Sequence, residues 1–202
     1  IHDHANLEVA RMVGRQEVEL VLVPDLLSRI TVQTCRQSGL SVAYLELLDF
    51  GGDEIYFHEE PGLVGKSFGD ALLAYEDSAV IGLRPREGGT LVNPKMDRRI
   101  EKGDKVIAIS QDDDTVRLSG LKNLRVNQNA IVKVEPAART PERTLILGWN
   151  ERVPMIIREL DHYVAPGSAV NVVADRDGAE AELRQEVGGL VNQSLAFTAA
   201  EP

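Results

Sequence analysis

Apolar residues fall in three rhythms along this chain, and each change of rhythm marks a change of architecture. Leu7, Val9, Met12 and Val13 suit a short helix within 7–16. Val18-Glu19-Leu20-Val21-Leu22-Val23 is nearly continuous in apolar residues, the pattern of a strand covered on both faces. Pro24-Asp25 then predicts a helix start, with Asp25 as the cap, running through Leu26, Leu27, Ile30 and Cys35 to a stop near Gly39. A second helix follows through Val42, Leu45 and Leu48.

From Asp49 the runs shorten. Strand patterns are predicted at Glu54–His58, Ala79–Arg84, Thr90–Val92 and Lys105–Ile109, with a short helix through Ala71, Leu72 and Leu73 whose start lies near Ser67 and Asp70. These make a compact α+β module of about 60 residues, near the lower limit for independent folding. Weak β signals continue through Thr115–Val134, and Val134–Glu142 reads as a linker. The third rhythm is strand, helix, strand: Thr144–Leu147, a helix striped with Val153, Ile156, Ile157 and Leu160, then Ala169–Ala174. Such a β-α-β unit is normally parallel. A polar helix through Ala179–Val187 and a strand at Ser194–Thr198 follow it. Four segments result: 1–48, the end of an α/β unit with its helices; 49–118, the α+β lobe; 119–142, a connecting segment; and 143–202, the opening of a second α/β unit.

Composition narrows the function classes. A net charge of −10 over 202 residues disfavours a nucleic-acid surface or a direct anionic-lipid contact. The apolar runs all fall short of the roughly 18–20 residues that cross a bilayer. The chain opens without Met or a signal pattern, so it is expected to be a segment of a longer polypeptide. One cysteine, Cys35, excludes an internal disulfide and is expected to be buried in its helix.

Candidate chemistry is sparse. Gly148 and Asn150 sit in the turn where dinucleotide binders place a glycine fingerprint, but only the first glycine is present, and Trp149 and Glu151 crowd or repel a diphosphate. A structural turn competes with NAD or ATP binding there. Asp112, Asp113 and Asp114 offer clustered carboxylates, with Glu59, Glu60 and Asp104 as further oxygen donors for a divalent ion such as calcium. A solvated acidic loop is the competing reading. Gly65-Lys66-Ser67 lacks P-loop spacing, and His2, His4, His58 and His162 lack paired metal-ligand spacing. Without a nucleophile–base arrangement, no enzyme is expected.

Several runs carry a family resemblance. Gly65-Lys66-Ser67, Ala79–Leu83, Leu91-Val92-Asn93-Pro94, Asp97 and Ile100–Ile109 make Asp53–Ser110 similar to the C-terminal lobe of RCK (regulator of potassium conductance) and TrkA-type proteins. Met12-Val13-Gly14, Gln33–Gly39, the Asp112–Asp114 triplet, Leu147–Asn150 and Leu160–Ser168 resemble the CASTOR/POLLUX branch of ion channels. Asn150-Glu151-Arg152 departs from that branch, whose plant members carry an Arg-Arg-Asp type run. The resemblance implies the tail of one Rossmann-like RCK unit, a TrkA-C-like lobe and the start of a second unit. It also implies a cytosolic ligand- or ion-sensing gating region of a membrane cation channel. Its expected partners are copies of itself, as a dimer of lobes or a tetrameric ring, and the parent's pore. A nucleotide-binding subunit of a separate potassium-uptake transporter is the alternative. The helix pair within 25–48 and the apolar lobe strands are the expected assembly surfaces.

Overall fold

The computed structural model describes residues 1, 3–15, 17–121, 127–132, 135 and 138–201. The chain divides into two compact units: Ser41–Lys133, the lobe unit, and Ile1–Leu40 with Val134–Pro202, the α/β unit.

The lobe unit begins with most of α3 (Leu40–Leu48), while α1 (Leu7–Gly14) and α2 (Val23–Arg36) belong to the other unit. It continues through β1 (Glu54–His58), α4 (Phe68–Leu72), β2 (Ala79–Arg84), β3 (Leu91–Val92) and β4 (Lys105–Ser110). The strands form an antiparallel sheet in the order β1-β4-β2-β3. Pairing of β2 with β4 skips Ile81, since Val80 faces Ala108 and Gly82 faces Ile107. One extra residue shifts the side-chain alternation, so that Val80 and Leu83 both point into the core instead of Val80 and Gly82. With them pack Leu63, Phe68, Ala71, Ile100, Val106, Ala108 and Val116. At Gly82 a Cβ would lie 2.3 Å from the Leu91 carbonyl oxygen, so only glycine lets β3 approach.

The turns are held by polar side chains. The Ser67 hydroxyl accepts from Asp70 N at 3.1 Å while Asp70 accepts from Ser67 N at 2.9 Å, a reciprocal cap on α4. These bonds from Ser67 hold the Asp70 carboxyl below the usual carboxylate range. The buried Asp104 carboxylate accepts from Arg86 N at 3.1 Å and Glu101 N at 3.0 Å, joining two loops. The Asn93-to-Asp104 motif is thus turn scaffolding. Described residues of 115–132 form no strand beyond a bridge from Leu118 to Tyr75, and 122–126, 133 and 134 lie outside the described set.

In the α/β unit, α1 (Leu7–Gly14) and α2 (Val23–Arg36) precede the lobe. After it come β5 (Arg143–Leu147), α5 (Val153–Tyr163), β6 (Ser168–Ala174), α6 (Ala179–Val187) and β7 (Gln193–Ala199). The three strands are parallel in the order β5-β6-β7, as β-α-β connections require. Along β6, Ser168, Val170, Val172 and Ala174 are buried and the residues between them are half-buried. Helices α5 and α6 cover that buried face through Val153, Ile157, Leu183 and Val187. On the opposite face Leu145 and Leu147 are 58% and 62% exposed. Helix α2 packs on α5, burying Ser28 and Val32.

Three expectations fail here. Val18–Leu22 is not a strand, and Val23 already belongs to α2. A strand exists only beside another. Among the described residues the 18–23 run finds no strand partner; it meets Ile1, whose amino group donates to the Val21 carbonyl and whose carbonyl accepts from Val23 N. Cys35 is exposed, because its side of α2 borders an open groove beside β5 rather than a packed layer. The cap expected from Asp25 also shifts. Leu22 takes the cap position without a side-chain bond, Pro24 fixes the first turn, and Asp25 lies inside it.

Asp161 locks the α/β unit. Its carboxylate, on α5, accepts from Val191 N (2.8 Å), Asn192 N (2.9 Å) and Gln193 N (3.0 Å), the turn that leads into β7. Replacing Asp161 with alanine orphans three amides at a buried position and is expected to lower unfolding stability by about 3 kcal/mol. Asp161→Asn keeps part of that, since one amide oxygen can still accept. Urea denaturation of the two variants checks the order.

Candidate functional site

The carboxyl ends of β5 and β6 form the place where α/β sheets take ligands. Gly148 leaves β5 with φ +85°, a conformation that favours glycine, and its amide donates to the Val173 carbonyl at 2.8 Å. The outward side of Gly148 is open, with nothing within 4 Å of a Cβ position. Asn150 serves the first turn of α5: its side-chain oxygen accepts from Arg152 N (2.9 Å) and its carbonyl from Val153 N (3.0 Å). Trp149 turns inward onto the sheet core, and the Arg176 guanidinium lies 5.1 Å over its ring, itself paired with Glu182 at 2.8 Å. A cavity of about 780 Å³ lies at the first turns of α2 and α5, between Pro24, Leu27, Asn150, Arg152 and Met155. Gly148 and Asn150 are therefore neighbours at the expected edge, with backbone duties that account for their contacts.

The acidic triplet follows β4 in the lobe unit. Asp112 caps the single 3-10 turn Asp113–Thr115, accepting from Asp113 N at 2.7 Å, and its carbonyl accepts from the Thr115 hydroxyl at 2.6 Å. Asp114 lies 3.5 Å from Arg117. Glu60 accepts from Gly62 N and stands 4.0 Å from His58, while Asp104 serves the loops described above. Among the described residues no group of three or more His, Cys, Asp or Glu is gathered as a metal ligand set.

A neighbour of the triplet escaped the sequence reading. The Tyr56 hydroxyl donates to Glu54 at 2.8 Å, and its pKa is pushed up to about 12. The hydrogen bond to Glu54 is the largest cause, followed by burial and the charges of Glu54, Asp112 and Asp113. Only the β1–β4 register, which sets Glu54 opposite Ser110, brings Tyr56 near residues some 56 positions away.

The expected assembly surfaces are exposed in part. In β2, Val80 and Leu83 belong to the lobe core and α2 buries Ser28 and Val32, whereas α3 and one face of β1 stand open. Helix α3, Leu-Ser-Val-Ala-Tyr-Leu-Glu-Leu-Leu, buries none of its residues, and Val42, Leu45 and Leu48 are 67–78% exposed. Phe50 just beyond it is 95% exposed. Ile55 and Phe57 project from the sheet face opposite the lobe core, with the Arg84 guanidinium 5.4 Å over the Phe57 ring.

Comparison with known proteins places these features. A probable ion channel POLLUX of rice (Oryza sativa subsp. japonica) is 29% identical over 93% of this chain and 20% of its own length. The ion channel POLLUX of Lotus japonicus is 30% identical over 93% of this chain and 20% of its own. The chain thus spans about a fifth of these relatives. The human SLO3 gating ring superposes with a TM-score of 0.60 over 98% of this chain and 44% of that one, at 12% identity, which establishes the fold as that of RCK units. These relatives are channels and a gating ring, not enzymes. Among the described residues no helix is long and apolar enough to cross a membrane. The family profile described as "Castor and Pollux, part of voltage-gated ion channel" matches residues 24–126, about half of the chain, and the protein belongs to that family.

Proposed function

We propose that this chain is part of the cytosolic gating region of a cation channel, acting by assembly with copies of itself and by ligand-linked rearrangement. The observation that carries the reading is α3, an almost wholly apolar helix with no fully buried residue, whose Val42, Leu45 and Leu48 stand exposed while Leu40, Tyr44 and Leu47 are half-buried. A helix of that composition needs a partner surface, and a repeated subunit supplies one. Family membership and the gating-ring likeness support a channel as the setting. Ligand or ion binding would act by favouring one arrangement of the assembly over another.

Light scattering tests the assembly step. The wild-type chain is expected to run as a dimer or larger with a melting temperature that rises with protein concentration, and Val42→Glu with Leu45→Glu and Leu48→Glu to run as a folded monomer whose melting temperature does not. A monomeric wild type would remove α3 as an assembly surface.

Melting in calcium, magnesium, potassium, NAD and ATP tests the sensing step. A ligand held at about 100 times its Kd should add roughly 2.7 kcal/mol of stability. Tyr56 is a local reporter for calcium at Asp112 and Asp113. Because the fold favours neutral Tyr56, its contribution to stability is complete below the unfolded value of 10.0 and is lost as pH rises through about 12. Glu54→Gln should bring the Tyr56 titration, followed by ring carbon NMR, back towards 10.0; Asp112→Asn with Asp113→Asn should lower it less. Calcium held by the two aspartates should lower it in the wild type and not in that double variant. A Tyr56 titration indifferent to saturating calcium would exclude the triplet as the calcium site.

A further inference from the structure

Arg36 and Glu142 are 106 positions apart, yet they form a bidentate ion pair within the α/β unit. Arg36 Nη1 and Nη2 each donate to a separate Glu142 carboxylate oxygen at 2.8 Å. The positions of the two residues give the pair its meaning. Arg36 ends α2, and within a few residues the chain crosses into the lobe unit at Ser41. Glu142 immediately precedes β5, where the chain has come back from that unit. The pair therefore joins the segments that flank the two crossings, shortly before the α/β unit ends at Leu40 and shortly after it resumes at Val134.

Both partners are anchored. Glu142 is fixed to the sheet through its backbone: its amide donates to the Ser168 hydroxyl at 2.9 Å, and its carbonyl accepts from Ala169 N at 2.9 Å. Arg36 is steered from its other side, with its guanidinium 5.9 Å over the Tyr163 ring at the end of α5. Gln33, one turn earlier on α2, reaches the Tyr163 hydroxyl at 3.4 Å, and Arg29 lies 3.9 Å from Glu159 on α5. Beyond Arg36 the chain turns through Gly39, whose φ of +84° favours glycine, with Leu40 N donating to the Gln37 carbonyl at 3.2 Å.

We infer that the Arg36–Glu142 pair is a staple that closes the base of the lobe insertion, so that opening it frees both connecting segments together. Partial exposure, 27% for Arg36 and 42% for Glu142, makes the staple weak in global stability and sensitive to salt. Its effect belongs to local opening, which hydrogen exchange reads segment by segment. A staple of this kind converts a change at the α5–β6 end of the sheet into a change in the freedom of the lobe's two connections.

The test is hydrogen–deuterium exchange on the intact chain. Amides are followed in 37–40, in 138–142, and in the β6–β7 strands as reference. Glu142→Gln and Arg36→Gln are each expected to speed exchange in both connecting segments by roughly twofold to fivefold, with β6–β7 unchanged. The charge swap Arg36→Glu with Glu142→Arg should restore most of the protection. For the wild type, 1 M sodium chloride against 0.05 M should produce the same two-segment acceleration, a measurement immune to misfolding of a variant. Acceleration confined to the segment that carries the substitution, or none in either segment at high salt, would overturn the inference.

Discussion

Ser28 is fully buried where α2 crosses α5, and the α/β unit depends on that crossing. The residue is small enough for two helices to approach closely, and its hydroxyl donates to the Pro24 carbonyl one turn back at 2.8 Å, so its own polar atom is satisfied. Val32, one turn further on, completes the stripe. Through this contact a helix from the first forty residues becomes the outer layer of a sheet built from residues 143–199. Everything between them, the whole lobe unit, is thereby an insertion with both ends held by one body. That topology is the reason a single ion pair at its base can matter.

How much of this was legible depended on where each element's partners lie in the chain. The lobe strands β1 and β2 and helix α6 follow local patterns, because alternation or a 3.6-residue stripe together with turn residues determines them. Val18–Val23 has an equally strong strand pattern and is not a strand, since pairing is a property of neighbours and not of the segment. Cys35 follows the same logic: a helix position is buried only if something covers that side, and the groove beside β5 leaves it open. Asp161 and Asp104 stood inside resemblance motifs without an evident task. Their tasks, gathering the amides of a turn 30 positions away and joining two loops, appear only once the chain has folded back.

The candidate chemistry was legible in composition and illegible in geometry. Adjacent aspartates signal charge density, yet a ligand set needs oxygens converging on one point, and consecutive residues in a tight turn point apart. Here Asp112 turns back to cap its own turn while Asp114 reaches towards Arg117. Tyr56 shows the converse: a residue with no motif at all acquires an unusual environment because the β1–β4 register brings its strand alongside the acidic turn.

The uncovered surfaces have one common physical cause. Parallel sheets are stable when both faces are covered, and helices are stable when their apolar stripe finds a partner. In this chain Leu145 and Leu147 stand on an open sheet face, α3 is apolar without a buried residue, and Phe50 is almost wholly exposed. Each lies in a different element, so a local packing fault does not account for them. They are the kind of surface that a repeated subunit would cover in the assembly proposed above. An assembly held by several modest surfaces rather than one large one would be responsive, because each contact alone contributes little to the balance between arrangements.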